Sequence, residues 1–313
     1  MKILALAGGV GGAKLAAGLQ ATLPPEDLTV IVNTADDFRL WGLHISPDLD
    51  TVMYTLAGIA NPQTGWGIRH ETFGALEMLG NYGDDTWFKL GDRDLATHVL
   101  RTAQLNRGES LTEITAKLAA ALGVNNSLLP MCDEPVATLV HTPDGPLEFQ
   151  DYFVHRRQED EVLGVDLRGI EDARVSTAVS EALTEAEVVV LCPSNPIVSI
   201  NPILSVPGMT EALYASSAPK VAVSPIVGGK ALKGPADRMM DSLGHEVSAT
   251  GVSRMYKGLV DGMVVDRADA EEEDDIAALG MEVLVTDSVM RDEEDRERLA
   301  REVLEFGAAL GAQ

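Results

Sequence analysis

Residues 3–14 read Ile-Leu-Ala-Leu-Ala-Gly-Gly-Val-Gly-Gly-Ala-Lys: five apolar residues, then four glycines around a valine, then a lysine. An unbroken apolar run of that length suits a strand buried on both faces of a parallel sheet. Glycines let the chain turn tightly at its end and let the backbone approach an anion. A helix that starts there would add free N–H groups and a positive dipole end. Gly8, Gly9, Gly11, Gly12 and Lys14 are therefore candidate phosphate-binding residues. The stretch is not a Walker loop, because no Gly-Lys-Ser/Thr follows a four-residue spacer. It matches the dinucleotide fingerprint loosely, since Lys14 stands where the third glycine belongs. A glycine turn that merely packs strand on helix is the competing reading.

Outward from this turn, strand and helix patterns alternate. Apolar runs at 2–7, 28–33, 188–191, 220–224, 263–265 and 283–286 read as strands. Helical patterns cover 13–21, 177–185, 209–216, 235–243 and 292–310. The alternation predicts an α/β fold, a Rossmann-like, doubly wound, mostly parallel sheet. Residues 61–180 break the rhythm, with helical pieces at 70–80, 96–107 and 111–122. Two strands at 135–141 and 147–155 then flank Thr142-Pro-Asp-Gly-Pro146, a hairpin turn. The expected organisation is a nucleotide- or phosphate-binding core from 1–60 plus 181–313, with 61–180 inserted as a helical and hairpin cap over the active site.

The chain has 313 residues, 24 Lys and Arg against 49 Asp and Glu, and a net charge of −25. Nucleic acid is excluded as a partner, because such a surface repels phosphate backbones and no basic stripe offsets it. No apolar run is long enough for a membrane span, the start does not read as a signal peptide, and the two cysteines, Cys132 and Cys192, form no framework. A cytoplasmic protein is expected. A salt-loving host and an acidic mesophile protein both accommodate the charge.

Asn33-Thr-Ala-Asp36-Asp37 ends the second strand, and Ser46-Pro-Asp48-Leu-Asp50-Thr51 follows closely. Four carboxylates in fifteen residues, beside phosphates, suit Mg2+, which prefers hard oxygens. Helix capping by Asp37 or Asp48 is the alternative. Gly91-Asp92-Arg93-Asp94-Leu-Ala-Thr97-His98 gathers acids, an arginine and a histidine. Cys192-Pro-Ser194-Asn195-Pro196 must leave the sheet at its ligand edge, offering hydroxyl and amide groups. Gly228-Gly229-Lys230, at another strand end, repeats the glycine–lysine pattern, with Lys233 close behind.

In order along nearly the whole chain, GGVGGAK, NTADD, ISPDLDTVMYTLAG, GDRDLATH, FQDYFV, CPSNPIVSINPIL and SPIVGGKALKGP resemble the 2-phospho-L-lactate transferase family, which builds the deazaflavin coenzyme F-420. The resemblance implies a Rossmann-like, Mg2+-dependent transferase, often a homodimer. It would move a 2-phospholactyl or phosphoenolpyruvyl group from a guanosine diphospho-activated donor to the ribityl hydroxyl of the deazaflavin Fo, releasing GMP. The residues fit this activity: Asp36 or Asp50, or both, would hold the metal, with Asp50 first and Asp36 second as proton acceptor. Lys14 and the glycines of 8–12 would cradle the diphosphate, with Ser194 and Asn195 by the guanosine and Gly228, Gly229 and Lys230 near the phosphates. Asp92, Arg93, His98 and Asp133 would line the Fo side. Where relatives read Pro-Met-Ser-Asp-Asp-Pro, this chain has Pro130-Met-Cys132-Asp133-Glu134-Pro135. Two other readings compete. A related nucleotide-sugar-binding regulatory protein would hold its ligand unchanged. An NAD(P) dehydrogenase would leave the carboxylate cluster without a use.

Overall fold

Strand β1, Ile3–Ala7, is buried along its whole length, which is why all five residues are apolar. Leu4 and Leu6 pack on one face of the sheet, and Ile3, Ala5 and Ala7 on the other, as the two-residue period of a strand requires. β1 is an interior strand of a seven-stranded parallel sheet in a computed structural model that describes residues 1–312. The other strands are β2 (Leu28–Val32), β3 (Ser127–Pro130), β4 (Val188–Leu191), β5 (Lys220–Val223), β6 (Gly262–Asp266) and β7 (Glu282–Thr286). Their spatial order is 7-6-5-4-1-2-3. Leu6 lies opposite Ile31 of β2 on one side and Leu191 of β4 on the other. The winding direction reverses between β1 and β4. Helices leave opposite faces there, and the strand ends open a crevice.

Helices α1 (Gly9–Thr22), α2 (Pro47–Leu56) and the closing helix Glu293–Leu310 cover one face, where Leu15, Leu19, Val52, Leu299 and Val303 meet Ala5, Val30 and Val190. α1 starts at Gly9, four residues earlier than the apolar periodicity indicated, so the glycines form its first turn. The other face is covered by short helices and by a three-stranded antiparallel sheet, with Val140, Val179, Leu213, Met239 and Val252 against Leu4 and Ile31.

The segment 61–180 is not a separate cap, which corrects the expected division. Helix α5 (Leu111–Ala121), opened by a capping box of Ser110 and Glu113, leads into β3. β3 pairs with β2 from Thr29↔Ser127 to Val32↔Pro130 and forms the sheet edge. Four residues ending in proline carry little strand signal, and an edge is where a strand tolerates proline. From the remainder, α4 (Asp92–Leu105) and the loops around Trp66, Trp87 and Phe149 line the crevice, whereas α3 (Gly74–Asn81) and the antiparallel sheet Gly145–Glu148, Ala137–Thr142, Gly164–Arg168 contribute no residue to its lining. The hairpin forms as expected, but its second arm stops at Glu148. Asp151–His155 makes a π-helical turn instead, because Phe149 and Phe153 stack 5.4 Å apart, a helical spacing. The third strand, Gly164–Arg168, was not evident from its pattern.

Candidate active site

A cleft of about 1030 Å³ opens above β1 and β4, at the upper end of the range for small-molecule sites. Its floor is the glycine turn. The Gly8 N–H donates to Ser194 Oγ at 3.0 Å, which ties the turn to the end of β4. Gly9 has φ +62°, the left-handed region that favours glycine. A Cβ at Gly11 would lie 2.1 Å from the carbonyl oxygen of Pro193, so the α1 backbone reaches the β4 turn with no room for a side chain.

Four carboxylates gather beside the turn. Asp48, in the first turn of α2, accepts from Asn33 Nδ2 at 3.0 Å and lies within 2.6 Å of where a Gly8 Cβ would sit. Burial pushes its carboxyl up to about 6, against bonds from Asn33, the Gly9 N–H and Ser199 that favour the charge. Asp36 accepts from Thr138 Oγ1 at 3.3 Å. Its carboxyl is raised well above the usual range by burial and by the charge of Asp48. Asp37 is raised by burial too, although His44 Nε2 (2.8 Å) and Ser46 Oγ (2.7 Å) bond it.

Asp50 is different. Both its oxygens accept from the fully buried guanidinium of Arg101, the Nη1 bond being 2.9 Å. Arg101 Nη1 also donates to His98 Nδ1 at 3.2 Å, and His98 Nε2 lies 3.1 Å from Asp94 Oδ1. Tyr54 donates its hydroxyl to Asp94 at 2.7 Å, and burial holds the phenol well above its ordinary range. Asp50, Asp94 and His98 approach closely enough to share a cation, but Arg101 already supplies the positive charge. Asp36 and Asp48 are two buried carboxylates near enough for the charge of Asp48 to raise Asp36, and no cation meets either among the described residues.

Cations line the same cleft. Lys14 Nζ donates to the Met290 carbonyl at 2.7 Å, and burial together with Arg296 and Lys233 lowers its affinity for a proton. Lys233 donates to the Thr64 carbonyl at 2.7 Å from a loop that crosses the cleft mouth. The cap supplies an aromatic wall of Trp66, Trp87, Phe88, Phe149 and Phe153. Trp87 stacks on His155 with ring centres 5.2 Å apart. One cleft thus joins an anion-binding floor, a carboxylate cluster and flat apolar faces for ring systems.

The model of the 2-phospho-L-lactate transferase CofD family matches residues 3–305. The chain belongs to this family. The 2-phospho-L-lactate transferase of Methanosarcina mazei is 42% identical over 97% of this chain and 99% of its own. The phosphoenolpyruvate transferase of Streptomyces griseus is 42% identical with both chains covered completely. The expected class of activity, a CofD-type transferase, therefore stands, and relatives named for either acid are equally similar. A crystal structure of a UPF0052 family member from Bacillus halodurans shares the fold, with TM-score 0.68 over 97% of this chain and 98% of its own at 17% identity.

In this CofD family member, Gly8, Gly9, Gly11, Lys14, Asp36, Asp50, His98, Ser194 and Asn195 line the cleft together. Gly12 lies just behind it, where a Cβ would meet Ser194 Oγ at 2.5 Å. Asn195 Oδ1 accepts from Ile197 N at 2.9 Å, so that atom serves the turn after β4. The remaining expected residues lie elsewhere. Gly228 and Gly229 form a hairpin turn whose Gly228 N–H donates to Asp269, and Lys230 is exposed beside it. Asp92 caps α3, accepting from Thr72, Gly74 and Ala75, which lowers its pKa. Arg93 reaches the Arg69 carbonyl at 3.2 Å. Asp133 accepts from Thr112 N at the start of α5. Asp48 and Lys233 were noted in the sequence but not assigned to the site, while Arg101, Tyr54 and the aromatic wall were missed. Trp-Phe at 87–88 and the Phe149/Phe153 pair, in a chain that is 4% aromatic, were the available signal for the wall. No helix among the described residues is long and apolar enough to cross a membrane.

Proposed function

We propose that this enzyme transfers a phospho-three-carbon-acid group, 2-phospholactyl or phosphoenolpyruvyl, from a guanosine diphospho-activated donor to the ribityl hydroxyl of the deazaflavin Fo. The observation that carries the reading is one cleft lined together by the glycine turn, two lysines, a carboxylate cluster and aromatic rings. The diphosphate belongs on the N–H groups of Val10 and Gly11 beside Lys14, where the α1 dipole also favours negative charge. Fo, a flat ring system with a hydroxylated tail, belongs against the aromatic wall, its tail toward Asp50 and Asp94.

The acceptor oxygen forms a new bond to the phosphorus that bears the acid, and the bond from that same phosphorus to the bridging oxygen breaks. The electron pair leaves with GMP, and the hydroxyl proton passes to a cleft carboxylate. We assign that role to Asp50, which keeps lone pairs beyond its two Arg101 bonds and is fixed in orientation by them. The loose transition state of phosphoryl transfer asks little of the proton acceptor. Asp36 and Asp48 would hold Mg2+, which when bound would supply charge neutralisation at the phosphate oxygens. The assignment moves one ligand from Asp50 to Asp48, because Arg101 occupies Asp50.

The test is turnover of Fo with each of the two guanosine donors and Mg2+, followed by chromatography of the deazaflavin products. Formation of GMP with a phospho-acid product supports the reading and selects the acid. A protein that binds a guanine nucleotide but leaves Fo unchanged with both donors refutes it. A homodimer is expected from light scattering, and sedimentation as a monomer at assay concentration would remove that expectation.

A further inference from the structure

The loop 61–67 is closed on itself. The Asn61 N–H donates to Gly67 O at 3.0 Å, the Gly65 N–H to Asn61 O at 2.8 Å, and Thr64 Oγ1 to Trp66 O at 2.6 Å. An Ala60↔Ile68 bridge pins its base. Such a loop moves as a unit. Its crown lies on the phosphate-binding turn: a Cβ at Gly65, φ +80°, would sit 2.7 Å from Val10 Cγ1 and 3.1 Å from Lys233 Nζ. Among the described residues, the bond from Lys233 Nζ to the Thr64 carbonyl is the hydrogen bond that ties loop 61–67 to the far side of the cleft.

An ammonium carries three N–H donors. One of those of Lys233 is used on Thr64, and the residue lines the cleft alongside Lys14. Lys14 likewise uses one donor on a carbonyl, that of Met290. Two lysines, each with donors to spare, thus meet where the α1 N-terminus already favours an anion. In a chain of net charge −25, the convergence of like cations is unfavourable until an anion separates them.

We infer that Lys233 is a phosphate-binding residue that acts through two ends at once, one N–H on the Thr64 carbonyl and the others on the donor's diphosphate, so that the anion fastens loop 61–67 over the glycine turn. This rests on the reading of the cleft as a guanosine diphospho-donor site. Lys233 assumes the part that the sequence pattern pointed to for Lys230. The fastened loop shields the reacting phosphate from water, and Trp66, which lines the cleft from the same loop, closes with it.

The experiment is hydrogen–deuterium exchange with GDP, and in parallel inorganic diphosphate, at saturating Mg2+, with affinities from calorimetry. In the wild type, both ligands are expected to slow exchange of the Asn61 and Gly65 amides at least fivefold. Lys233→Met is expected to weaken GDP at least tenfold and abolish that protection, with Lys233→Arg restoring both. Lys233 is exposed, so the methionine variant retains the fold, and unchanged exchange in β1 and β4 verifies it. Gly65→Ala, which displaces the crown, is expected to lose protection while Lys14 still binds GDP. Wild-type affinity in Lys233→Met, or GDP binding with unchanged exchange in 61–67, overturns the inference. Failure of the wild type to bind either ligand overturns the donor-site reading beneath it.

Discussion

Replacing Arg101 by methionine tests the carboxylate cluster most directly. Arg101 is 1% exposed and Asp50 4%, so neither charge has water to fall back on. The substitution is close in length and keeps an apolar stem, so packing changes little. What changes is electrostatic. Asp50 loses both donors to its oxygens, and His98 Nδ1 loses the donor at 3.2 Å. An uncompensated buried charge costs about 3–5 kcal/mol, a large part of the ~5–15 kcal/mol that holds a domain folded. Urea unfolding at neutral pH should show that loss for Arg101→Met. The double variant Asp50→Asn/Arg101→Met should recover most of it, because the orphaned charge is gone. Turnover should not return in the double variant, since the proton acceptor is removed. Lys117–Glu109 is the internal control. Its side chains are 58% and 28% exposed, and Lys117→Ala should cost under about 1 kcal/mol. A loss below 1 kcal/mol in Arg101→Met, or a double variant no more stable than the single, would refute the account of Asp50 as a buried, arginine-held carboxylate.

Gly11→Ala should lower the melting temperature by several degrees and abolish GDP binding, because its Cβ would meet the Pro193 oxygen at 2.1 Å and push α1 off the β4 turn; unchanged calorimetric affinity would count against the turn as the anion floor. The pH dependence of stability in EDTA has a definite sign. Asp48 is raised from 3.8 to about 6, so the unfolded chain releases its proton first. The stability is present below about pH 4 and is lost as pH rises through 6, up to about 3 kcal/mol for the two-unit shift. Asp36 and Asp37 act in the same direction. Mg2+ should reduce the loss, and thermal unfolding that shows stability climbing from pH 4.5 to 6.5 in EDTA would contradict it. Molar KCl should raise the melting temperature, since −25 charges repel one another and salt screens them; a flat profile would argue against charge repulsion as a limit on stability. Cys132 and Cys192, both buried and with thiols pushed up to about 12, should be inert to a thiol reagent until the protein unfolds.

Most of the core was legible because doubly buried strands must be apolar throughout. Val188–Leu191 and Thr177–Glu185 fall where the pattern alone put them. β3 was not legible, because Ser-Leu-Leu-Pro has neither the length nor the β-branching of its neighbours and owes its place to pairing with β2. Asp48 was hidden by an ambiguity of the same kind. An aspartate just after Ser-Pro reads as a helix-start residue, and it is one. The same first turn aims its carboxylate at Gly8, a contact set by the packing of α2 on α1 and absent from any local pattern. Arg101 was silent for a further reason: its partner is 51 positions away, and an arginine on a helix reads as solvated until the fold buries it.

The two Gly-Gly-containing turns show where local reading ends. A phosphate turn and a two-residue hairpin both need backbone with positive φ, so both select glycine. Gly9 has φ +62°, and Gly228 and Gly229 have +58° and +72°. The lysines do not separate them either, since each turn carries one. What separates them is the element that follows. After Gly9 the chain winds into a fourteen-residue helix, and its free N–H groups point back at the crevice. After Gly229 it returns as the strand Lys230–Ala231, whose backbone pairs with Ile226–Val227 and turns Lys230 to solvent. The lysine of that region that lines the cleft is three residues on, at Lys233, after the hairpin has closed. If that reasoning is right, Lys230→Met should leave GDP affinity within twofold of wild type while Lys14→Met weakens it at least tenfold. Equal losses from the two would mean that the hairpin, and not the chain beyond it, faces the nucleotide.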